Sequence, residues 1–124
     1  MIKRYVYVTL QKEFIHQYKD APEEVSYLRY PHRHIAHIKA SIQVEHNDRE
    51  IEFIMMKHYL EEKINLLGIT TSSCEQIAEY VIIYLQERYG RGRDIKVEVS
   101  EDGENGCELF YAGDSFRNMI AGKE

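Results

Sequence analysis

Alternation of apolar and polar residues is the strongest pattern in this chain, and it predicts four β-strands. The alternation runs through residues 2–10, 34–44, 95–99 and 107–111. Because side chains two residues apart in a strand face the same side, each run has one apolar face and one polar face. The longest run places its apolar side chains at Ala36, Ile38, Ala40, Ile42 and Val44. These four segments therefore predict a sheet with one buried face.

Between the second and third runs the apolar residues recur every three or four positions, which predicts two α-helices. The first helix is expected to end at Gly68 and the second at Gly90. Ser72 and Glu75 have the S-x-x-E spacing of a capping box, which predicts the start of the second helix. The apolar residues of the first helix are Phe53, Met56, Leu60, Ile64 and Leu67. Those of the second helix are Ile77, Val81, Tyr84 and Leu85.

The segments between these elements predict turns and one long loop. Residues 46–48 read His-Asn-Asp, a turn sequence, after which residues 50–53 are expected to pair back as a short strand. Residues 102–106 predict a hairpin loop before the last strand. Residues 17–31 are polar and contain both prolines. They predict a long loop, of the kind that often carries function.

The element order is strand, strand, short strand, helix, helix, strand, strand. Two hairpins that flank a helical pair predict an α+β domain, in which both helices lie on one face of an antiparallel four-stranded sheet. We expect residues 1–124 to form a single domain, because a chain of this length buries a sufficient core without disulfide or metal staples. Residues 113–124 are mostly polar and are expected to form a flexible tail.

Charge and composition argue against several classes of protein. A formal net charge of −5 disfavours broad nucleic-acid binding, which depends on neutralising phosphates. No apolar run approaches the length of a membrane span, and residues 1–10 show no signal-peptide pattern. Cys74 and Cys107, the two cysteines, are too few for a disulfide framework or a cysteine-rich zinc site. We therefore expect a cytoplasmic protein that binds neither nucleic acid nor membrane.

Four of the six histidines lie within residues 30–46, and two of them have a spacing that suits a metal ion. His32 and His34 precede the longest alternating run and share the face of Ala36. Two imidazoles at the end of a buried face can converge on one ion about 2 Å from each nitrogen, and they need a third ligand from elsewhere. His16, at the end of the first strand segment, is a candidate for that ligand. The spacing alone leaves two alternatives open, a metal site or solvated surface histidines.

A set of short segments occurs in a fixed order along residues 5–111. They are His16, PHRH at 31–34, IEF at 51–53 followed by MMK, SSCEQIAEYV at 72–81 and KVEVSED at 96–102. In this order the sequence resembles the family of 6-pyruvoyltetrahydropterin synthase and its bacterial relative, 6-carboxytetrahydropterin synthase. The resemblance implies the tunnelling fold, a ββααββ unit whose copies close a barrel of strands with the helices outside. It also implies a homo-oligomer, a trimer or hexamer, with sites between subunits.

The resemblance further implies roles for individual residues. It implies a Zn²⁺ ion bound by His16, His32 and His34. Zinc in that family polarises the substrate side chain and lowers the pKa of bound oxygen, so that protons move between carbon and oxygen at neutral pH. Glu101 is implied to anchor the guanidine-like edge of a pterin through a two-point, charge-assisted hydrogen bond. Glu98 or Asp102 takes this role if the match is shifted.

The sequence departs from the family at the residues that transfer protons. Leu28 stands where the family has a cysteine base, and residues 65–73 lack the family's Asp-His pair. Cys74 is a candidate replacement, because a helix N-terminus can lower the pKa of a thiol. Glu23 or Glu24, in the long loop, is another candidate, as acidic variants of the family suggest.

Two interpretations of function therefore stay open. The first is a divergent zinc enzyme, a synthase-like lyase that acts on a reduced pterin or dihydroneopterin triphosphate. The second is a catalytically degenerate module that binds or sequesters a pterin or guanine nucleotide. The fold alone does not distinguish them, because one fold supports many functions.

Overall fold

The structure, a computed structural model, describes residues 1–68 and 72–114. The strands are β1 (Arg4–His16), β2 (His32–Val44), β3 (Ile95–Glu101) and β4 (Asn105–Tyr111), and the α-helices are α1 (Phe53–Leu67) and α2 (Cys74–Tyr89). The strands form one sheet in the order β1-β2-β3-β4, with each neighbouring pair antiparallel. The predicted α+β architecture is confirmed at this level.

The core lies between the two α-helices and one face of the sheet. Every second residue of β2 from Ala36 to Val44 is buried, and the same alternation runs through β3. Burial of these apolar side chains drives the helices onto this face. The helices contribute chiefly Met56, Leu60, Ile64, Ile77, Val81 and Leu85, all essentially inaccessible to solvent. The opposite face of the sheet is polar and is not covered by either helix.

β1 extends further than its apolar alternation predicted, and this extension brings His16 into the sheet. The pattern from residue 2 was interrupted by Lys12, which lies on the apolar face. Lys12 is tolerated there because its ammonium group reaches the side-chain oxygen of Asn65 on α1, at 3.0 Å, while its stem covers the sheet. Phe14 then resumes the buried face, and the strand ends at His16.

The predicted short strand at residues 50–53 is wrong. Residues 45–52 form bends, and Arg49 has a positive φ of 54° that turns the chain away from β2. The carboxylate of Glu50 accepts the backbone N–H of Glu45 and pairs with Arg93, which fixes the loop. Glu52 caps α1, with its side chain accepting the N–H of Ile54 at 2.7 Å. Side-chain hydrogen bonds therefore replaced the expected strand pairing.

The capping box of α2 lies one residue later than predicted. Ser73, not Ser72, is the N-cap, and its hydroxyl accepts the N–H of Gln76 at 3.2 Å. The Gln76 side chain accepts the N–H of Ser73 in return, at 2.8 Å. Consecutive serines followed by Glu and Gln satisfy the same motif in two registers, so the sequence alone did not separate them.

The long loop between β1 and β2 contains a 3₁₀ helix, Glu23–Arg29, kinked at Val25. The guanidinium of Arg29 donates to the carbonyl of Ala21 and pairs with Glu23. Tyr18 also donates its N–H to the carbonyl of Leu28 at 2.8 Å. The loop is therefore ordered by its own hydrogen bonds and delivers the chain to the start of β2 in a defined position.

Asp94, just before β3, ties both ends of the described chain to the sheet. It is only 2% exposed, and its Oδ2 accepts from the Lys3 ammonium and the Tyr5 hydroxyl, each at 3.2 Å. Its Oδ1 accepts the N–H of Gly113 at 2.9 Å. Gly113 is thus held in place, whereas residues 115–124 of the predicted flexible tail lie outside the described residues. Burial raises the pKa of Asp94, but these three hydrogen bonds outweigh it and hold the pKa below its ordinary value.

Replacing Asp94 with alanine is expected to lower the free energy of unfolding by about 2–4 kcal/mol, because three donors lose a charged acceptor. Because the folded pKa is depressed, the carboxylate stabilises the protein above its unfolded pKa of about 3.9, and this contribution is lost as the pH falls through the folded value. The stability difference between the parent and Asp94→Asn should therefore shrink below about pH 4. Chemical denaturation at equal protein concentration measures both effects. Asp48→Asn, an exposed control, should be nearly neutral, and an equal loss in that variant would contradict the assignment.

Candidate metal centre

The β1–β2 pairing brings three histidines together at one end of the sheet. His16 is directly opposite His32, and His34 is opposite Phe14. His32 and His34 are two residues apart on β2 and therefore share one face of the sheet. His16 is paired with His32 and lies on the same face, which is the face that the helices cover. One ligand atom from each of His16, His32 and His34 lies within 4.8 Å of the others. The residues that the sequence singled out therefore converge, and they are half-buried rather than fully solvated.

Hydrogen bonds from Nδ1 orient two of these rings. His32 donates from Nδ1 to the carbonyl of Tyr30 at 2.8 Å. His34 donates from Nδ1 to the carboxylate of Asp102 at 2.6 Å. A carbonyl or carboxylate oxygen accepts but does not donate, so each ring carries a proton on Nδ1, and the neutral form of each ring presents a lone pair at Nε2. Metal-binding histidines have this outer hydrogen bond almost without exception.

The Nε2 atoms of His32 and His34 are buried and have no hydrogen-bond partner among the described residues. A buried polar atom left without a partner costs about 1–3 kcal/mol, so native structures rarely retain one without a reason. A metal ion bound between the rings would satisfy both nitrogens at once. The three histidines therefore fit a divalent ion that prefers nitrogen ligands, such as Zn²⁺.

Asp102 is a positioning residue for His34 rather than a free carboxylate. Its Oδ2 accepts from His34, and its Oδ1 accepts the N–H of Ile35 at 2.9 Å. Its own N–H returns to the carbonyl of Ile35 at 2.8 Å, with a φ of 56° that aspartate tolerates better than most residues. The Ile35 and His34 hydrogen bonds lower the pKa of Asp102. The sequence had suggested Asp102 only as an alternative pterin anchor. The carbonyl of Tyr30 had no sequence signal at all.

Glu101 is the carboxylate that the resemblance implied as the pterin anchor, with Glu98 and Asp102 as alternatives, and its side chain lies beside the histidines. It ends β3 opposite Ala36, on the same face as the cluster. Its Oε1 lies 3.1 Å from Nε2 of His16, and its Oε2 lies 3.7 Å from Nε2 of His34. Glu98 is exposed on the other face of β3, where it is remote from the histidines. Of the three acids, Glu101 is therefore the one that the fold places at the site.

The surroundings of His16 favour the neutral imidazole. Burial lowers the pKa of His16 most; Glu101 raises it, His32 and His34 lower it, and a hydrogen bond to the backbone of Ser72 raises it. The net effect is a lowered pKa. Neutral imidazole is the form that binds metal ions.

Cys74 does not have the lowered pKa that its position at the start of α2 suggested. The side chain is buried, and this burial, followed by the charge of Glu101 and the neighbouring Cys107 and Glu75, raises its pKa to about 11. Burial therefore outweighs the favourable field of the helix N-terminus. At neutral pH the group is a thiol, which is a poor base.

Glu23 and Glu24 lie at the start of the 3₁₀ helix and face solvent. The side chain of Glu23 is 86% exposed and pairs with Arg29 at 3.2 Å. Among the described residues, neither carboxylate forms an ion pair with a histidine. Leu28, at the position of the family's cysteine, is half-buried. The structure therefore assembles the predicted metal ligands and Glu101, but brings neither loop glutamate into contact with them.

No protein-family model and no curated protein sequence matches this chain. Of the helices in residues 1–68 and 72–114, none is both long and apolar enough to cross a membrane.

Proposed function

We propose that this protein is a tunnelling-fold protein that holds a zinc ion with His16, His32 and His34 and binds a pterin or guanine-derived ligand beside it. The observation that carries the proposal is the pair of buried Nε2 atoms on His32 and His34, which have no hydrogen-bond partner among the described residues. They belong to a cluster with His16 in which one ligand atom of each ring lies within 4.8 Å of the others. Zinc bound there would supply Lewis-acid polarisation of a ligand oxygen. The ββααββ order, with both helices on one face of the sheet, is compatible with this fold.

The class of ligand is inferred from the resemblance and from the acid beside the histidines. The edge of a pterin or guanine presents two adjacent N–H donors, and a carboxylate accepts both in a charge-assisted pair. Within residues 1–68 and 72–114, no backbone N–H donates to the Glu101 carboxylate, whereas the carboxylate of Asp102 accepts the N–H of Ile35. The donor edge of a pterin or guanine would therefore bind the carboxylate of Glu101.

Binding without efficient turnover is the interpretation that the residues around the site favour. Proton transfer to carbon needs a base with a pKa near the working pH and within hydrogen-bond reach. Leu28 offers none, the thiol of Cys74 has a pKa of about 11, and Glu23 is turned toward Arg29. We therefore infer a binding module that sequesters its ligand, and regard the divergent enzyme as the second candidate.

The proposal includes assembly into a trimer or a multiple of it. In the described part of the chain, β1 and β4 are the outer strands of the sheet, and each has a strand neighbour on one side only. Pairing of edges between copies would close a barrel and would enclose the polar face that the helices leave uncovered. We expect light scattering at micromolar concentration to give a multiple of three times the 14.7 kDa chain mass. A monomer under these conditions would contradict the tunnelling fold.

The test of ligand binding uses tag-free, zinc-loaded protein and compares guanosine triphosphate with adenosine triphosphate. The two nucleotides carry the same phosphates, but only guanine has the paired donor edge. A ligand at a hundred times its Kd stabilises the folded protein by about 2.7 kcal/mol, which a thermal shift detects. We expect guanosine triphosphate and dihydroneopterin triphosphate to raise the melting temperature and adenosine triphosphate to leave it unchanged. If neither of the first two binds by calorimetry, the proposed ligand class is wrong.

A further inference from the structure

We propose that Glu101 is the fourth protein ligand of the metal held by the three histidines, so that the site is closed in the ligand-free protein. This rests on the proposed metal site and adds to it a residue that the resemblance had implied only as a pterin anchor. The inference comes from the position of the Glu101 carboxylate, whose oxygens lie near Nε2 of His16 and near Nε2 of His34. The latter nitrogen is buried and has no hydrogen-bond partner among the described residues.

The distances agree with a shared ion. Ligand atoms about 2.0–2.2 Å from a tetrahedral zinc lie about 3.3–3.6 Å from one another. The two oxygens of Glu101 lie 3.1 Å from Nε2 of His16 and 3.7 Å from Nε2 of His34, on either side of that range. The carboxylate therefore lies within about 0.2 Å of that spacing from each of the two nitrogens, through a different oxygen in each case.

The hydrogen bonds of His34 give a second reason. Asp102 accepts the Nδ1 proton of His34, so Nε2 of the neutral ring presents a lone pair to the oxygen of Glu101. An Nε2 lone pair and a carboxylate that face each other repel unless a positive charge lies between them, either a metal ion or a proton on Nε2. His34 is thus placed between two carboxylates, of which Asp102 orients the ring and Glu101 meets the metal-binding nitrogen.

The fold makes this placement possible without distortion of the strand. Glu101 is the last residue of β3 and is paired with Ala36, a fully buried residue whose small side chain leaves room above it. His34 is two residues before Ala36, on the same face, and is therefore the diagonal neighbour of Glu101. Because β3 and β2 are held in register by the core, the carboxylate has a fixed position relative to the histidines.

A closed site changes what the metal does. Four protein ligands are typical of structural zinc sites, whereas catalytic sites keep one position open. A ligand that needs the Glu101 carboxylate for its donor edge must first displace it from the metal. Its binding would then open a coordination position, so ligand binding and metal coordination would be coupled.

The experiment uses the cobalt-substituted protein, in which the visible absorption reports the number of ligands. We expect the parent protein to show the strong absorption of a four-coordinate ion, unchanged by azide. Glu101→Ala should open a position, so that azide changes its spectrum and acetate restores the parent spectrum. Its zinc affinity, measured by competition with a chelator, should fall by more than the roughly 10–100-fold typical for loss of an outer-shell partner.

Two variants control for charge and for indirect effects. Glu98→Gln removes a carboxylate from the opposite face of the same strand and should leave affinity and spectrum unchanged. Asp102→Asn removes the outer partner of His34, so its affinity should fall by about 10–100-fold while its spectrum stays insensitive to azide. Circular dichroism of the metal-free proteins checks that each variant folds. The azide test on the parent protein does not depend on any variant.

The outcomes separate this inference from the proposed function. A parent protein that binds neither cobalt nor zinc would overturn both. If the parent binds metal but its spectrum responds to azide, or if Glu101→Ala binds zinc as tightly as the parent, Glu101 is not a ligand. In either of those cases the three-histidine site stands and only the closed site is rejected.

Discussion

Replacing His32 with alanine is expected to abolish zinc binding, from about one ion per chain to near zero. Loss of an outer-shell partner alone typically costs 10–100-fold in metal affinity, so loss of a direct ligand should cost at least about 100-fold. His32 is central to the cluster, with ring centroids 4.4 Å from His16 and 4.7 Å from His34. Elemental analysis of tag-free protein measures the stoichiometry, and chelator competition measures the affinity.

Thermal unfolding gives an independent measure of the same change. A metal that binds only the folded state stabilises it by about 4 kcal/mol at a thousand times its Kd, so added zinc should raise the melting temperature of the parent protein but not of His32→Ala. His58→Ala is the matched control, because His58 is exposed on α1 and lies outside the cluster. Parent protein without a transition metal, or equal zinc in both histidine variants, would reject the metal centre.

The sequence predicted the core elements well because each carries a local signal. Alternation located the four strands, and the change of period located both α-helices, with α1 ending at Gly68 in the left-handed conformation as expected. The errors fell where local signals were ambiguous. Residues 50–53 looked like a strand, but Glu50 and Glu52 used their side chains to satisfy backbone N–H groups, which ended the sheet.

The histidine cluster was predictable only in part. The two-residue spacing placed His32 and His34 on one face, but His16 joins them through the β1–β2 register, across a loop whose path no periodicity describes. The Nδ1 partners of His32 and His34 are a backbone carbonyl and a hairpin carboxylate. Such partners depend on the tertiary fold, and no spacing of residues in the sequence predicts them. For the same reason, Cys74 was assigned a helix-terminus environment, and its burial became visible only in the structure.

We expect this protein to convert dihydroneopterin triphosphate at least about 10²–10⁴-fold more slowly than a complete member of the pterin synthase family, because this is the usual cost of removing a general acid or base. The ligand-binding residues proposed here orient and polarise, but they do not carry a proton to or from carbon. Asp102 is held by two hydrogen bonds, and the thiol of Cys74 remains protonated at neutral pH.

Steady-state assays of the zinc-loaded oligomer, with a complete family member as reference, measure this difference. An ordinary enzymatic rate would overturn the binding-module interpretation and would require a base that the geometry has not supplied. In that case the variants Glu23→Gln, Glu24→Gln and Cys74→Ser should identify the base. Substitution of the true base should lower the rate without weakening zinc or ligand binding. A slow rate that all three variants share would instead show that residual conversion comes from positioning and polarisation alone, which is what a zinc site without a proton carrier can provide.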